Sequence, residues 1–339
     1  MSGPPMRSRA TPTAAGAAGA AGAADEARIV AALATSLFPS CASPTVARVL
    51  DGVSTRVYRL RWDAQSRAAA QTLYLRILPE AGASFAPEAA AHTRARTCGA
   101  RVPEIVYVEP CHPQLGRSVM VTSEIVGEPV WRRPFDDDTR RILVEAGRDL
   151  ARINSVPVDG FGWVRRDADA RDRLLGEHAL QRAFALEYLE ADLATLARHG
   201  LSSTEADAIR ALVARHDGWF DGTRAWLAHG DFDVTHIFQR NGQYSGIIDF
   251  GEIRGADMFY DLGHFQADDG ETLPAESVSS LVAGYNEVAP LPDDAQARIT
   301  LASLLIALRT LGNQATKHPD QPLDEWDWSV VRRELAALA

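Results

Sequence analysis

The stretch WLAHGDFDVTHIFQRNGQYSGIIDFGEIRGADMFYDLGHF, residues 226–265, decides the fold of this 339-residue chain. Within it, Asn241-Gly242 separates two short apolar runs, which is the strongest short-range signal for a β-hairpin. The two strands are predicted over residues 236–239 and 244–248. Asp231 precedes the first strand and Asp249 follows the second, so the hairpin brings both carboxylates to one open end, close to His236.

Two acids, Asp231 and Asp249, and a further ligand, His236, at the open end of a hairpin suit phosphoryl transfer. One carboxylate can orient an acceptor hydroxyl and take its proton, while the other ligands hold Mg²⁺ on the phosphates of a nucleotide. A His-Gly-Asp sequence alone is more often an ordinary turn with solvated acids, because short motifs have high false-positive rates. The full spacing, with Asp249 closing the hairpin, favours the catalytic interpretation.

The segments HGDFDVTHIF and GIIDFGEIRGADMFYDLGHF resemble the aminoglycoside phosphotransferase family, whose members have a protein-kinase-like fold. The resemblance implies that Asp231 is the catalytic base and Asp249 a metal ligand, and it implies ATP or GTP as co-substrate with Mg²⁺. His236 stands where most members have Asn, which is similar to the macrolide phosphotransferase branch. An imidazole can bind a divalent cation, so His236 is the second predicted metal ligand.

The composition is typical of a globular protein. Hydrophobic residues make up 46% of the chain, and no apolar run approaches the roughly 18 residues that cross a membrane. The three cysteines, Cys41, Cys98 and Cys111, are too few and too scattered for a disulfide framework or a metal cluster. We therefore expect a cytoplasmic protein with reduced thiols that acts without a membrane, as a monomer or a dimer.

Charge is distributed unevenly along the chain. Residues 1–127 carry 13 basic and 9 acidic side chains, whereas residues 128–339 carry 22 basic and 36 acidic ones. The acidic second part argues against nucleic acid as a partner. It suits a cationic small molecule, such as a cationic antibiotic, because a cleft lined by one sign of charge attracts the opposite sign. A solvated acidic surface without a ligand is an equally open interpretation.

The first part of the chain predicts a disordered tail followed by a helix and strands. Residues 1–24 are rich in Ala, Gly, Pro, Ser and Thr, which favours disorder. A helix is predicted over residues 25–38, and a second one from Pro87 to the stop at Gly99. Strands are predicted over residues 46–50, 56–62, 73–78 and 117–125.

The turn between the first two strands resembles the loop that covers the nucleotide in this family. Gly52, Ser54 and Thr55 would contribute backbone N–H groups and hydroxyls to phosphate oxygens. A plain hairpin is the alternative, because the turn has one glycine only.

Arg76 falls where a kinase-like fold places the lysine that holds the α- and β-phosphates. The chain has a single lysine, Lys317, so an arginine must fill this role. Glu88, on the following predicted helix, would pair with Arg76 as Glu pairs with Lys in kinases. Surface charges are the alternative interpretation of both residues.

The strand over residues 117–125 resembles the hinge between the two lobes of the family. By that resemblance Ser123 and Ile125 contact adenine through the backbone, and Thr122 lies at the back of the nucleotide pocket. The resemblance and the change in charge predict a nucleotide-binding N-lobe over residues 25–127 and an acceptor-binding C-lobe over residues 128–339.

The second part of the chain has the periodicity of amphipathic helices. They are predicted over residues 137–153, 176–199, 203–220, 275–288, 292–312 and 324–338. Asp261 resembles the structural Asp that bonds the catalytic-loop backbone in this family, with a helix N-cap as the alternative. His229 is predicted to be a hydrogen-bonded anchor of the loop rather than a base.

The sequence therefore predicts an α+β protein with a two-lobed, protein-kinase-like fold. An antiparallel sheet with a helix forms the N-lobe, and a mainly helical C-lobe contains the catalytic β-hairpin. The predicted function is Mg²⁺-dependent transfer of the γ-phosphate of ATP or GTP to a hydroxyl of a small molecule, an aminoglycoside or macrolide antibiotic by resemblance. The alternatives are a kinase of a small metabolite such as choline or homoserine, and a nucleotide-binding protein without catalysis.

Overall fold

The computed structural model describes residues 17–339, apart from residues 40, 42, 51–54, 64–70, 168–171, 272 and 275. Gly52 and Ser54 of the predicted phosphate loop therefore lie outside the described residues, while Thr55 directly precedes a strand. Within the described ranges, no helix is both long enough and apolar enough to cross a bilayer.

The N-terminal part of the chain forms an antiparallel sheet with the strand order β1-β2-β3-β5-β4. Its strands are β1 (Thr45–Val49), β2 (Arg56–Trp62), β3 (Gln71–Ile77), β4 (Ile105–His112) and β5 (Arg117–Ser123). Helix α1 (Ala17–Leu37) and helix α2 (Ala86–Thr97) belong to the same part. Val30 and Ala34 of α1 pack in one apolar cluster with Tyr58 and Leu60 of β2, so this helix covers a face of the sheet.

Helix α1 begins at Ala17, eight residues before the predicted start of the helix over residues 25–38. It therefore includes residues 17–24 of the predicted disordered tail, and residues 1–16 lie outside the described residues. Alanine has the highest helix propensity and is abundant in this segment, which explains the earlier start.

The C-terminal part is mainly helical, as predicted. Its helices are α3 (Asp137–Ile153), α4 (Gln181–Ala185), α5 (Leu189–Leu196), α6 (Ser203–Arg215), α7 (Tyr260–Asp268), α8 (Ser277–Val288), α9 (Ala295–Lys317) and α10 (Glu325–Leu338). Helix α3 spans the predicted residues, and Asp136 caps it by accepting the backbone N–H of Thr139. A Cβ at Gly147 of α3 would lie 2.0 Å from the carbonyl oxygen of Leu281 in α8, so glycine permits this close helix crossing.

Two small sheets position the loops between these helices. One has the order β11-β10-β6 and consists of β6 (Glu128–Pro129), β10 (Ile237–Arg240) and β11 (Gln243–Ile247). The other has the order β7-β9-β12-β8 and consists of β7 (Pro157–Val158), β8 (Gly162–Trp163), β9 (Ala225–Ala228) and β12 (Arg254–Ala256).

The predicted hairpin is confirmed as β10 and β11. Asn241 and Gly242 have positive φ angles of 53° and 77°, which a two-residue turn of type I′ requires. The amide of Gly242 also donates to the side chain of Gln239 at 3.0 Å, which fixes the turn.

The predicted helices over residues 176–199 and 203–220 are shorter than the sequence periodicity suggests. Residues at the start of the first one form bridges instead: His178 and Phe161 exchange two backbone hydrogen bonds of 2.7 and 2.9 Å. The remaining residues form α4, α5 and a 3₁₀ turn over residues 197–199. Helix α6 ends at Arg215 and is followed by a 3₁₀ turn over residues 217–220.

Candidate active site

Asp231 lies on the loop between β9 and β10, and its position depends on the preceding glycine. Gly230 has a φ of 87°, and a Cβ there would lie 1.9 Å from the carbonyl oxygen of Glu252. Only glycine fits this close approach of two backbones. The side chain of Asp231 is 27% exposed and reaches a large cleft, so a ligand can contact it.

Asp261 of α7 holds this loop from behind. Its two carboxylate oxygens accept the backbone N–H of Gly230 at 2.9 Å and that of His229 at 2.8 Å. Asn154 donates to the same carboxylate at 2.9 Å. Helix α7 begins at Tyr260 and has no side-chain cap, so the N-cap alternative is wrong and the predicted bond to the loop backbone is confirmed.

His229 is a buried anchor of the hairpin, as predicted. Its Nε2 lies 2.8 Å from the carbonyl oxygen of Ile248, to which it donates. Burial, with the charge of His236 second, lowers the pKa of His229, so the ring stays neutral. The bond joins the loop before β10 to the end of β11, which keeps Asp231 and Asp249 at the same end of the hairpin.

His236 and Asp249 face one another at that end. The Nδ1 of His236 donates to the carbonyl oxygen of Asp231 at 2.7 Å, and its Nε2 lies 3.8 Å from the Oδ2 of Asp249. Burial alone would lower the pKa of His236, but Asp233, Asp249 and Asp231 raise it above the ordinary value. Burial alone would raise the pKa of Asp249, but Arg76 and His236 lower it.

His236 and Asp249 can supply two protein ligands to a divalent cation. Among the described residues, no cluster of three or more His, Cys, Asp or Glu side chains could hold a metal. Mg²⁺ commonly takes one or two protein ligands and completes its shell with substrate phosphates and water. Nε2 of His236 and the carboxylate of Asp249 would be those protein ligands, since Nδ1 is already used as a donor.

Arg76 and Glu88 form the predicted ion pair, with Arg76 Nη1 donating to Glu88 Oε1. The side chain of Glu88 is completely buried, so the pair is a fixed part of the interior. Nη2 of Arg76 lies 3.7 Å from Oδ1 of Asp249. Burial alone would lower the pKa of Arg76, but Glu88 and Asp249 raise it, so the guanidinium stays charged.

Arg166 also contacts this pair, although no motif in the sequence indicates it. Its Nη2 lies 3.3 Å from the second carboxylate oxygen of Glu88 and also donates to the carbonyl oxygen of Gly251. Ser84 donates its backbone N–H to the carbonyl oxygen of Arg166 at 2.7 Å. Arg166 therefore connects the segment before α2 to the residues after Asp249.

The residues predicted to bind adenine lie at the end of β5. Thr122 is buried, with 6% of its surface exposed. The backbone N–H of Ser123 donates to the carbonyl oxygen of Glu104 at 2.9 Å, so this N–H is not available to a nucleotide. Ile125 follows the strand, and its methyl groups would lie about 3.1 Å from a Cβ at Gly246 of the hairpin.

A cleft of about 1360 Å³ opens from Asp231 towards α5 and α9. Among the described residues that line it, seven are aromatic, seven acidic and four basic. Glu187 and Asp192 are two of the acids that line the cleft. Glu190, Asp207 and Asp217 pair with surface arginines instead.

Arg254 of β12 is a second residue of the candidate site that no sequence motif indicates. It donates to the carbonyl oxygen of Gly230 at 2.8 Å and to Glu252 at 3.0 Å. Its guanidinium lies over the ring of Trp163 at 4.2 Å. Arg254 thus fixes the loop that carries Asp231 on the side of the cleft, while its own charge is balanced by Glu252.

Comparison with known proteins gives one family and several related structures. The family model described as "Phosphotransferase enzyme family" matches residues 45–299. A homoserine kinase of Phenylobacterium zucineum (strain HLK1) is 31% identical over 200 residues, which are 57% of this chain and 56% of that protein. This chain therefore aligns with little more than half the length of that curated relative.

Two solved structures resemble the chain over most of its length. A thermostable mutant of aminoglycoside phosphotransferase APH(4)-Ia, in ternary complex with ADP and hygromycin B, has a TM-score of 0.60 and 13% identity, and the match covers 91% of this chain and 97% of that one. Macrolide 2'-phosphotransferase MphH from Brachybacterium faecium has a TM-score of 0.57 and 16% identity, covering 93% and 98%. At these identities the likeness shows the fold, and the predicted two-lobed, protein-kinase-like fold is confirmed.

Proposed function

This chain belongs to the phosphotransferase enzyme family, and we propose that it transfers the γ-phosphate of ATP or GTP to a hydroxyl group of a small molecule. The observation that carries the proposal is the position of Asp231. Its carboxylate reaches the large cleft, and its backbone carbonyl holds His236 beside Asp249 and Arg76. The proposed base, Asp231, and the proposed phosphate-binding group, Arg76, are therefore close together at one end of the hairpin.

In the proposed reaction, Asp231 orients the acceptor hydroxyl and accepts its proton. The hydroxyl oxygen forms a bond to the γ-phosphorus, and the bond from that phosphorus to the oxygen bridging to the β-phosphate breaks. The nucleoside diphosphate leaves with the electron pair of that bond. Arg76, held by Glu88, binds the phosphates. His236 and Asp249 would hold Mg²⁺, which would supply positive charge against the phosphate oxygens.

The cleft supports an acceptor larger than a simple metabolite. Its volume of about 1360 Å³ exceeds the roughly 300–1,000 Å³ of sites for drug-sized ligands. Aromatic rings and acidic groups in one cleft suit a molecule with an apolar face and a cationic amine. We therefore propose an aminoglycoside or a macrolide antibiotic, and the aromatic lining favours the macrolide.

A small amino acid such as homoserine is the second candidate acceptor. The homoserine kinase of Phenylobacterium zucineum, at 31% identity, is the observation that favours it. Homoserine would fill only a small part of the cleft, so its binding would need the cleft to close around it.

We also propose the cytoplasm as the site of action, where nucleotide donors occur. The three cysteines are exposed and unpaired, which suits a reducing compartment.

A panel of acceptors tests the proposal. The chain is incubated with Mg²⁺ and either ATP or GTP, together with aminoglycosides, macrolides, homoserine and choline, and the products are identified by mass spectrometry. We expect a singly phosphorylated antibiotic from the native chain and from Asp207→Asn, a surface control, but not from Asp231→Asn. Phosphohomoserine or phosphocholine alone would contradict the antibiotic assignment, and nucleotide binding without any product would contradict catalysis.

A further inference from the structure

One face of α7 carries a further residue that reaches the catalytic loop. Asp261 holds the backbone of the loop, and His264, one turn later, lies on the same face of the helix. Nε2 of His264 is 3.5 Å from Oδ1 of Asp231. The ring lines the cleft and is only 17% exposed, so it is fixed beside the base.

Both ring nitrogens of His264 face oxygen atoms that accept hydrogen bonds. Nδ1 lies 3.3 Å from the carbonyl oxygen of Phe232 and 3.7 Å from Oδ2 of Asp268, which is one turn further along α7. Nε2 faces the carboxylate of Asp231. A neutral imidazole can donate from one nitrogen only, so either tautomer would turn a lone pair towards an oxygen. The tautomer with its proton on Nε2 donates towards Asp231, and the tautomer with its proton on Nδ1 donates towards Phe232.

We propose that His264 is a positioning residue for the base, placed between Asp268 and Asp231. Its Nε2–H points at Oδ1 of Asp231. The carboxylate of Asp231 is thereby held in the rotamer that presents it to the cleft. His264 does not touch the phosphate or take part in bond formation; it acts through the orientation of Asp231. The inference rests on the proposed function, in which Asp231 is the base.

Substitution of His264 by asparagine or by glutamine separates the contributions of its two ring nitrogens. The amide nitrogen of Gln reaches about as far as Nε2 of His, and that of Asn about as far as Nδ1. His264→Gln therefore keeps a donor towards Asp231, whereas His264→Asn keeps a donor towards the carbonyl oxygen of Phe232. A purely structural role through Phe232 would favour Asn, and positioning of the base favours Gln.

Kinetics with the acceptor that the panel identifies, and MgATP hydrolysis without acceptor, measure the effect. We expect His264→Asn to lower kcat about tenfold and His264→Gln about threefold or less, with the KM for ATP unchanged in both. Equal losses in the two variants, or a change in the KM for ATP alone, would contradict positioning of the base.

The position of the proton on the His264 ring is tested without turnover. In ¹⁵N-histidine-labelled protein, the signal of His264 is assigned as the one missing from His264→Gln. We expect Nε2 to carry a proton, and we expect its signal to shift in Asp231→Asn. A proton on Nδ1 alone, with no response to Asp231→Asn, would overturn the inference. This readout remains valid if the chain turns over no nucleotide, so failure of the proposed function and failure of the inference are distinguishable.

Discussion

Arg76 and Asp249 lie 3.7 Å apart, measured from Nη2 of the guanidinium to Oδ1 of the carboxylate. The two residues come from different parts of the chain, since Arg76 is on β3 and Asp249 follows β11. Nη1 of the same guanidinium donates to the buried Glu88. The fork of an arginine can contact both carboxylates at once, whereas the single ammonium of a lysine has no such planar fork. Arg76 therefore links the predicted phosphate site to the predicted metal ligand.

The pair of Arg76 and Glu88 predicts a large effect on stability. Arg76→Met leaves the carboxylate of Glu88 in the interior with Arg166 as its remaining partner, so we expect the free energy of unfolding to fall by about 3 kcal/mol. Replacing both residues, as Arg76→Met with Glu88→Leu, should recover most of this loss, because the completely buried carboxylate of Glu88 is then absent. Urea denaturation measures both variants. A double variant that is less stable than Arg76→Met would contradict this account.

Because Asp261 holds the backbone of the loop that carries Asp231, we expect its replacement to lower both stability and activity. In Asp261→Asn, an amide NH₂ replaces one oxygen and faces a backbone N–H instead of accepting from it. We expect the free energy of unfolding to fall by about 1–3 kcal/mol and kcat to fall with it. The matched control is Asp207→Asn on α6, where the exposed pair with Arg210 should contribute less than about 1 kcal/mol. Similar denaturation midpoints for the two variants would argue against the loop anchor.

His92 predicts a dependence of stability on pH. Burial, with the Arg76 charge second, lowers its pKa from 6.5 to about 3. The unfolded chain therefore binds a proton below pH 6.5 that the folded protein does not, so stability is lost as the pH falls from 6.5 towards 3. The loss is about 1.4 kcal/mol for each pH unit in this window.

The variant His92→Asn tests this dependence, because it keeps a donor for the carbonyl oxygen of Pro103 but does not titrate. Between pH 7 and pH 5, its free energy of unfolding should fall by about 2 kcal/mol less than that of the native chain. Urea denaturation at both pH values gives the comparison. Parallel curves for the two proteins would show that His92 is not the titrating group.

His236 predicts an unusual preference among metal ions. Imidazole is a softer ligand than the oxygen of Asn, so it favours Mn²⁺ relative to Mg²⁺. We expect His236→Asn to retain turnover and to shift the ratio of Mn²⁺-supported to Mg²⁺-supported activity towards Mg²⁺. His236→Leu should need a higher concentration of either ion. Identical metal dependence in all three proteins would exclude His236 as a ligand.

Local features of the sequence account for much of the fold. The Asn241-Gly242 turn and the apolar periodicity of α3 depend on residues close together in the chain, and both are confirmed. The helix predicted over residues 176–199 was wrong at its start, because His178 pairs with Phe161, 17 residues earlier. Periodicity within a segment carries no information about such a distant partner.

The same limit of local sequence patterns applies to the candidate active site. The residues on the hairpin follow from its spacing, and the pair of Arg76 and Glu88 followed from a resemblance. Arg166 is 78 residues from Glu88 in sequence and has no motif around it, so only the folded chain reveals the contact. The same holds for His264, whose position depends on how α7 packs against the loop.

The role of Asp231 as the base is tested by measuring transfer of the γ-phosphate of ATP to an acceptor. Native chain and Asp231→Asn are compared with ³²P-labelled ATP and Mg²⁺, and calorimetry measures the nucleotide affinity of both. We expect equal nucleotide affinity in the two proteins and a loss of transfer of at least about a hundredfold in Asp231→Asn. Transfer that persists undiminished in Asp231→Asn would contradict the assignment of Asp231 as the base.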